Sequence, residues 1–301
     1  MNETYHIPVL LSESVDALNI NPAGIYVDAT FGGGGHSREI LKRLTTGQLV
    51  AFDRDSDAEA NKINDERVIF IRNNFRFLYN FLRFNKITEV DGILADLGVS
   101  SHHFDDASRG FSFRYNSAID MRMNKDSDFS AVRLLNEYSE RELVRVFRCY
   151  GELSNASQLA KIIVEKRNEK PIKTVKEFLS TIKPITPKKD ENKFLAKAFQ
   201  SLRIEVNQEK DALEQMLVHS FKSLKNKGRL VVITYHSIED RLVKNFMRSG
   251  NTDGKIKKDF YGNIECPFKL ITRKAIVPSK SEIEKNSRAR SAKLRVAEKI
   301  K

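Results

Sequence analysis

The feature that most constrains this chain is a rhythm. Short apolar runs, three of them ending in an acid, alternate with helix-like stretches, stop for about a hundred residues, and then resume. Ile25 to Asp28, Gln48 to Asp53, Val68 to Ile71 and Asp91 to Asp96 read as strands. Between them Ser37 to Leu44, Asp57 to Ile63 and Phe75 to Phe84 read as helices. Strands that alternate with helices pair in parallel through right-handed crossovers, so the expected fold is a doubly wound α/β domain.

From about Asp105 to about Lys210 no run reads as a strand. Ala131 to Tyr150, Asn155 to Arg167, Val175 to Ile182 and Lys193 to Val206 carry the apolar spacing of amphipathic helices. Pro184, Pro187 and the run Lys188 to Glu191 mark a loop among them. The α/β pattern returns with a helix over Asp211 to Lys225, a stop at Gly228 and a strand over Arg229 to Tyr235. The expected organisation is one discontinuous α/β domain, residues 1–104 and 211–301, with an inserted all-α domain over residues 105–210.

Composition excludes several classes. No apolar run reaches the roughly 18 to 20 residues of a membrane helix, and the segment Met1 to Leu10 does not read as a signal peptide. Cys149 and Cys266 stand far apart in no ligand spacing, so neither a metal site nor a disulfide framework is expected, in keeping with a cytoplasmic location. The net charge of +12 is concentrated at one end: Arg241 to Lys301 holds 17 Lys plus Arg against 6 Asp plus Glu. Such a stretch suits a polyanion, most often nucleic acid, or else a solubilising tail. Within it Ala292, Leu294 and Val296 alternate like a final strand, which would put Lys293 and Arg295 on the other face.

The strongest local signal is Asp28-Ala29-Thr30-Phe31-Gly32-Gly33-Gly34-Gly35-His36, a strand end running into a glycine-rich turn before a helix. A phosphate-cradling loop needs Gly-Lys-Ser/Thr at its end, and here Gly35 precedes His36. A dinucleotide fingerprint counted from Gly32 and Gly34 meets Ser37 at its third place. S-adenosylmethionine remains, with packing of helix on strand as the plain alternative. Asp28 suits a cationic neighbour. Asp53, about 25 residues on, stands near the roughly 20-residue offset at which an acid accepts from ribose hydroxyls. Asn73 to Phe75, Asp96 and Tyr235-His236-Ser237 also fall at strand ends, where open α/β sheets bind ligands. Phe75 reads as a core aromatic or as a ring stacked on adenine.

These motifs together resemble the RsmH (MraW) family of small-subunit ribosomal RNA cytosine-N4 methyltransferases, over essentially the full length. The resemblance runs through His6 to Leu11, Asp28 to Ser37, Asp53-Arg54-Asp55, Asp91 to Ser101, Arg109 to Ser112 and Asp120 to Met123. It continues through Phe199-Gln200, Arg203-Ile204, His236 to Arg241 and Arg288 to Arg295. It implies a Rossmann-like class I methyltransferase domain with an inserted helical domain. It also implies contacts to S-adenosylmethionine at Gly34, Gly35, His36, Asp53, Phe75, Asp96 and position 103, where His103 stands in place of the family's usual Gln. The implied substrate is 16S ribosomal RNA near the decoding centre, in an assembled or assembling small subunit.

An exocyclic amine is a weak nucleophile, so its site must hold it in line with the methyl group and accept hydrogen bonds as charge develops. Asp96, with backbone carbonyls near Leu97 and Gly98, is the expected acceptor. His236 reads as a proton relay or as a hydrogen-bonded structural histidine. The target base has to turn outward, with Tyr115, Phe111 or Tyr235 as stacking candidates. Two other functions fit the same residues: an assembly factor that binds cofactor and RNA without turnover, and a DNA amino-methyltransferase. The first would tolerate loss of Asp53 or Asp96, and both are present; the second would favour a Pro-Pro loop after Asp96, which is absent.

Overall fold

A computed structural model of the protein describes residues 8–98, 107–256, 258, 261 and 266–300. His103, the stretch Val99 to Ser101 and the expected insert boundary at Asp105 lie outside the described residues. The chain divides into two compact units, Met1–Gly98 with Asp211–Lys301, and Val99–Lys210.

The first unit is built on a seven-stranded sheet. Its strands are β1 (Ile25–Asp28), β2 (Gln48–Asp53), β3 (Val68–Arg72), β4 (Val90–Asp96), β5 (Leu224–Thr234), β6 (Phe268–Leu270) and β7 (Lys293–Lys299), in the order β3-β2-β1-β4-β5-β7-β6. β1 to β5 pair in parallel, whereas β7 runs antiparallel to both β5 and β6. Parallel strands are covered on both faces, which explains their unbroken apolar runs. Val27, Leu49, Val50, Ile93, Leu94, Val231 and Val232 are all fully buried.

Helices α1 (Leu11–Ala17), α2 (Gly35–Arg43) and α3 (Leu78–Phe84) precede the helical unit. That unit holds α4 (Ala131–Glu137), α5 (Glu140–Cys149), α6 (Ala156–Glu169), α7 (Val175–Ile182) and α8 (Glu191–Val206). Then follow α9 (Glu209–Ser223), α10 (Ser237–Ser249) and α11 (Lys280–Lys285). Among the described residues no helix is long and apolar enough to cross a membrane.

Three local expectations change. Ala131 to Tyr150 is two helices, because Ser139 caps α5: its hydroxyl accepts from the Glu142 N–H while Glu142 reaches back to the Ser139 N–H. Phe75 to Phe84 and Asp57 to Ile63 open or run as 3-10 turns, Phe75–Phe77 and Ser56–Asn61. Gly228 is no helix stop, since α9 ends at Ser223. It sits in a bulge: Val90 pairs with Leu224 and Gly92 with Arg229, leaving residues 225–228 to loop out, with Lys227 at φ 66°. Asp91 ties that bulge down by accepting from Lys225 Nζ at 2.8 Å and from the Ile25 N–H at 2.8 Å.

The helical unit has its own core, in which Leu134, Leu143, Phe147, Leu159, Phe178 and Leu202 are fully buried. Arg109 donates to the carbonyls of Arg122 and Met123, and Asn207 bonds both the Met123 N–H and the Met121 carbonyl. The Arg109 bonds close residues 109–123 on themselves, and those of Asn207, the residue after α8, hold Met121 and Met123 at the end of that helix.

β7 closes the sheet through its alternate residues. Leu294 and Val296 are buried on the core, while Lys293 is exposed, its ammonium 3.3 Å from the Asp240 carboxylate. Leu294→Ala should therefore destabilise the protein by about 2–5 kcal/mol, whereas Lys293→Ala should cost no more than about 1 kcal/mol. Urea unfolding of both variants measures this, and equal losses would contradict the assigned face of β7.

Candidate active site

The glycine-rich turn is held by two strand-end carboxylates. Asp28, at the end of β1, is fully buried. One of its oxygens accepts from the Thr30 N–H at 3.1 Å and the other from the Ser37 hydroxyl at 2.7 Å. Asp28 therefore stitches the strand end to the first turn of α2. The sequence suggests Asp28 as a neighbour for a cationic ligand; the structure turns both its oxygens onto the loop. Asp53, at the end of β2, accepts from the Gly32 N–H at 2.7 Å and from the Asp55 N–H at 2.8 Å. A carboxylate has about four acceptor directions, so these two bonds leave Asp53 capacity for a ligand hydroxyl.

Burial pushes the carboxyl pKa of both aspartates above the usual carboxylate range. Hydrogen bonds from the turn pull the other way in each case.

The turn needs glycine for two distinct reasons. Gly34 sits at φ 75°, in the left-handed region, as the residue before α2. At Gly35 an added Cβ would lie 2.1 Å from Pro8 Cγ, so the chain passes too closely for any side chain. His36 is buried, with Nε2 3.2 Å from the Val9 carbonyl oxygen, and thus packs α2 on the N-terminal segment.

A cofactor with a ribose and an amino-acid end fits this place. An added Cβ on Gly32 would meet nothing nearer than the Thr30 carbonyl at 4.0 Å, so the turn leaves open space on that side of Gly32. The start of α2 adds N–H groups that have no partner within the helix. Phe75 stands half-buried just past β3, next to the Asn74 side chain that caps its 3-10 turn.

The second half of the edge lies at β4 and β5. The Asp96 N–H donates to the Thr30 hydroxyl at 2.7 Å, which locks the end of β4 to the glycine turn. The Asp96 side chain accepts from the Tyr235 hydroxyl, and Tyr235 has its pKa raised by burial and by Asp96. An added Cβ on Gly98 would meet the Tyr235 ring at 2.8 Å, so the ring packs closely on this backbone. His236 caps α10, its Nδ1 accepting from the Glu239 N–H at 3.4 Å. Its Nε2 lies 3.1 Å from a Glu239 carboxylate oxygen without hydrogen-bond alignment. Glu239 also accepts from the Tyr235 N–H at 3.0 Å.

Gly34, Gly35, Asp53 and Asp96 thus stand around one turn, with His36 behind it. Sequence reasoning missed Thr30 and Glu239, and it took Tyr235 only as a stacking ring. A capping pattern was present in His236-Ser237-Ile238-Glu239, with the acid three residues into the helix. Phe111 is buried in the core of the helical unit, which removes it as a platform for a base; Tyr115 is exposed.

The strand order, the antiparallel seventh strand and the carboxylate-clamped turn at the carboxyl ends define a Rossmann-like domain of the class I S-adenosylmethionine-dependent methyltransferase type. The MraW methylase family model matches residues 3–300, and the chain belongs to that family. It is 59% identical over 297 residues to the ribosomal RNA small subunit methyltransferase H of Bacteroides thetaiotaomicron, covering 98% of each chain. It is 57% identical over 297 residues to the protein of the same name from Flavobacterium johnsoniae, again covering 98% of each. Among solved structures, an rRNA methylase from Streptococcus thermophilus aligns over 99% of this chain and 100% of its own, with TM-score 0.42 and 13% identity.

The burial of Asp28 has a measurable consequence. The unfolded chain loses this proton near pH 3.9, and the folded chain holds it to higher pH. Folding therefore takes up a proton between those values, so the stability contributed by this group is present at low pH and lost as pH rises through the folded pKa. Asp28→Asn carries no such proton, so its stability relative to the wild type should improve as pH rises from about 4 towards neutrality. Urea unfolding across that range tests it; a difference independent of pH would contradict a raised Asp28.

Proposed function

We propose that the protein transfers the methyl group of S-adenosylmethionine to small-subunit ribosomal RNA, at the N4 amino group of a cytosine near the decoding centre. The observation that carries this reading is the Asp96–Tyr235 pair, fixed by Thr30 to the glycine turn that would hold the methyl donor. The family and the names of its relatives support the RNA substrate.

S-adenosylmethionine supplies an electrophilic methyl group on a sulfonium. Asp53 would accept from its ribose, the turn at Gly34 and Gly35 would admit its amino-acid end, and Phe75 would flank its adenine. Asp96 accepts a hydrogen bond from the target amine, which directs the nitrogen lone pair at the methyl carbon. The N–C bond would form as the S–C bond breaks, the sulfur leaving as a neutral thioether, and the nitrogen would then release one proton to water. The methylated cation is very acidic, so no strong base is needed. Tyr235 donates to Asp96 and so orients it, while burial keeps the phenol protonated. His236 serves first as the cap of α10; a proton relay through it passes Glu239, which lies against its Nε2.

In sequence the helical unit comes after β4, the strand that carries Asp96. We assign RNA recognition to it. His103, which lies outside the described residues, belongs to this reading as a cofactor contact in place of the usual Gln. The work is cytoplasmic, where small subunits are assembled.

Tritiated S-adenosylmethionine offered with purified small subunits, naked ribosomal RNA or DNA decides the matter. The expected label is N4-methylcytidine from small-subunit RNA. Label in DNA would mark a DNA amino-methyltransferase, and cofactor binding without any transfer would mark an assembly factor; either overturns the proposal.

A further inference from the structure

A second concave site lies away from the glycine turn and takes no part in the chemistry above. α10, β7 and the segment after β6 enclose about 250 Å³. Four cations surround it: Lys244 and Arg248 from successive turns of α10, Arg273 from the segment after β6, and Arg295 from β7. Met247 and Leu270 supply its apolar lining, the first buried and the second exposed. The Thr272 hydroxyl accepts from the Val296 N–H at 2.9 Å, which leaves its own proton to donate.

The cations differ in their partners. Arg295 bonds both oxygens of Asp240, at 2.6 and 3.2 Å, and Lys293 reaches the same carboxylate. Burial raises the Asp240 carboxyl, but Arg295 and Lys293 outweigh that and hold its pKa below the usual range. Asp240 is therefore an anion already shared by two cations. Lys244, Arg248 and Arg273 are exposed and have no ion pair among the described residues. Three unpaired cations around one pocket repel each other, and a bound anion relieves that repulsion.

The apolar lining distinguishes the expected ligand from a bare ion. A nucleotide joins a phosphate to a flat, largely apolar body, and nucleic-acid grooves combine cations for the one with stacking surface for the other. Position also fits a strand that leads towards the reacting edge. Arg295 pairs with Val232, two residues before the end of β5 at Thr234, and so stands about 7 Å back from that edge along the strand.

We propose that this pocket binds one nucleotide of the RNA substrate other than the methylated one. Its phosphate lies on Lys244, Arg248 and Arg273, and its base or ribose lies against Met247 and Leu270. The inference rests on the RNA reading of the protein and adds to it a specific binding site for the strand.

The test uses the full chain, an oligoribonucleotide spanning the methylated region of small-subunit RNA, and a salt series. Lys244→Ala/Arg273→Ala and Arg248→Ala should weaken RNA binding and flatten the dependence of log affinity on log salt by about 0.7 for each phosphate no longer neutralised. They should raise KM for RNA with kcat little changed, and leave the affinity for S-adenosylmethionine as it was. Lys244→Arg/Arg273→Lys, which keeps the charges, should retain the wild-type slope. Variants with wild-type slope and KM, in a protein that still methylates the RNA, would overturn the pocket alone. So would inorganic phosphate that binds the wild-type protein at millimolar concentration, fails to bind Lys244→Ala/Arg273→Ala, and leaves the affinity for RNA unchanged, since it would make the pocket a site for a free anion. A wild-type protein that neither binds nor methylates ribosomal RNA would instead defeat the functional reading beneath it.

Discussion

Everything at the reacting edge depends on carboxylates that bind backbone. A glycine-rich turn has little to hold it in one conformation, and glycine loses more freedom on ordering than any other residue. Here Asp28 takes the Thr30 N–H and the Ser37 hydroxyl, Asp53 takes the Gly32 N–H, and the Thr30 hydroxyl takes the Asp96 N–H. The ends of β1, β2 and β4 and the start of α2 are thereby fastened to one loop. A preorganised acceptor costs little to use when a ligand arrives, so the same bonds that order the turn also prepare it.

Much of this was legible in the sequence, for identifiable reasons. Parallel strands covered on both faces leave apolar runs, and runs such as Ile93 to Ala95 locate β4 without ambiguity. The spacing of Asp28 and Asp53 follows from the length of one strand–helix–strand crossover. The break in the helix at Ser139 was also written in Ser139-Glu140-Arg141-Glu142, but the apolar period on either side concealed it. The bulge at residues 225–228 was not legible, because it depends on Asp91, far off in sequence, holding Lys225. Nor was the double use of Asp53: spacing suggests a ribose acceptor, and only the fold shows that the same carboxylate anchors Gly32.

The basic C-terminal stretch illustrates how charge and structure divide a segment between them. Read as composition, Arg241 to Lys301 is a polyanion-binding end or a solubilising tail. In the fold, Leu294 and Val296 are core residues of β7, and Lys293 and Arg295 share Asp240 with each other. The cations left without an ion pair among the described residues include Lys244, Arg248 and Arg273, which come from α10 and the segment after β6. Charge counting found the right end of the chain, whereas tertiary pairing decided which cations remain available.

The central claim is that the carboxylate-clamped turn is the cofactor turn, and Asp53 tests it most directly. Asp53→Ala removes both the acceptor offered to the ribose and the anchor of Gly32, while lying far in sequence from the residues assigned to RNA. Titration calorimetry with S-adenosylmethionine should show binding weakened by about 1.5–3 kcal/mol, the range for a lost hydrogen bond to a charged group. An affinity equal to that of the wild type would contradict the claim.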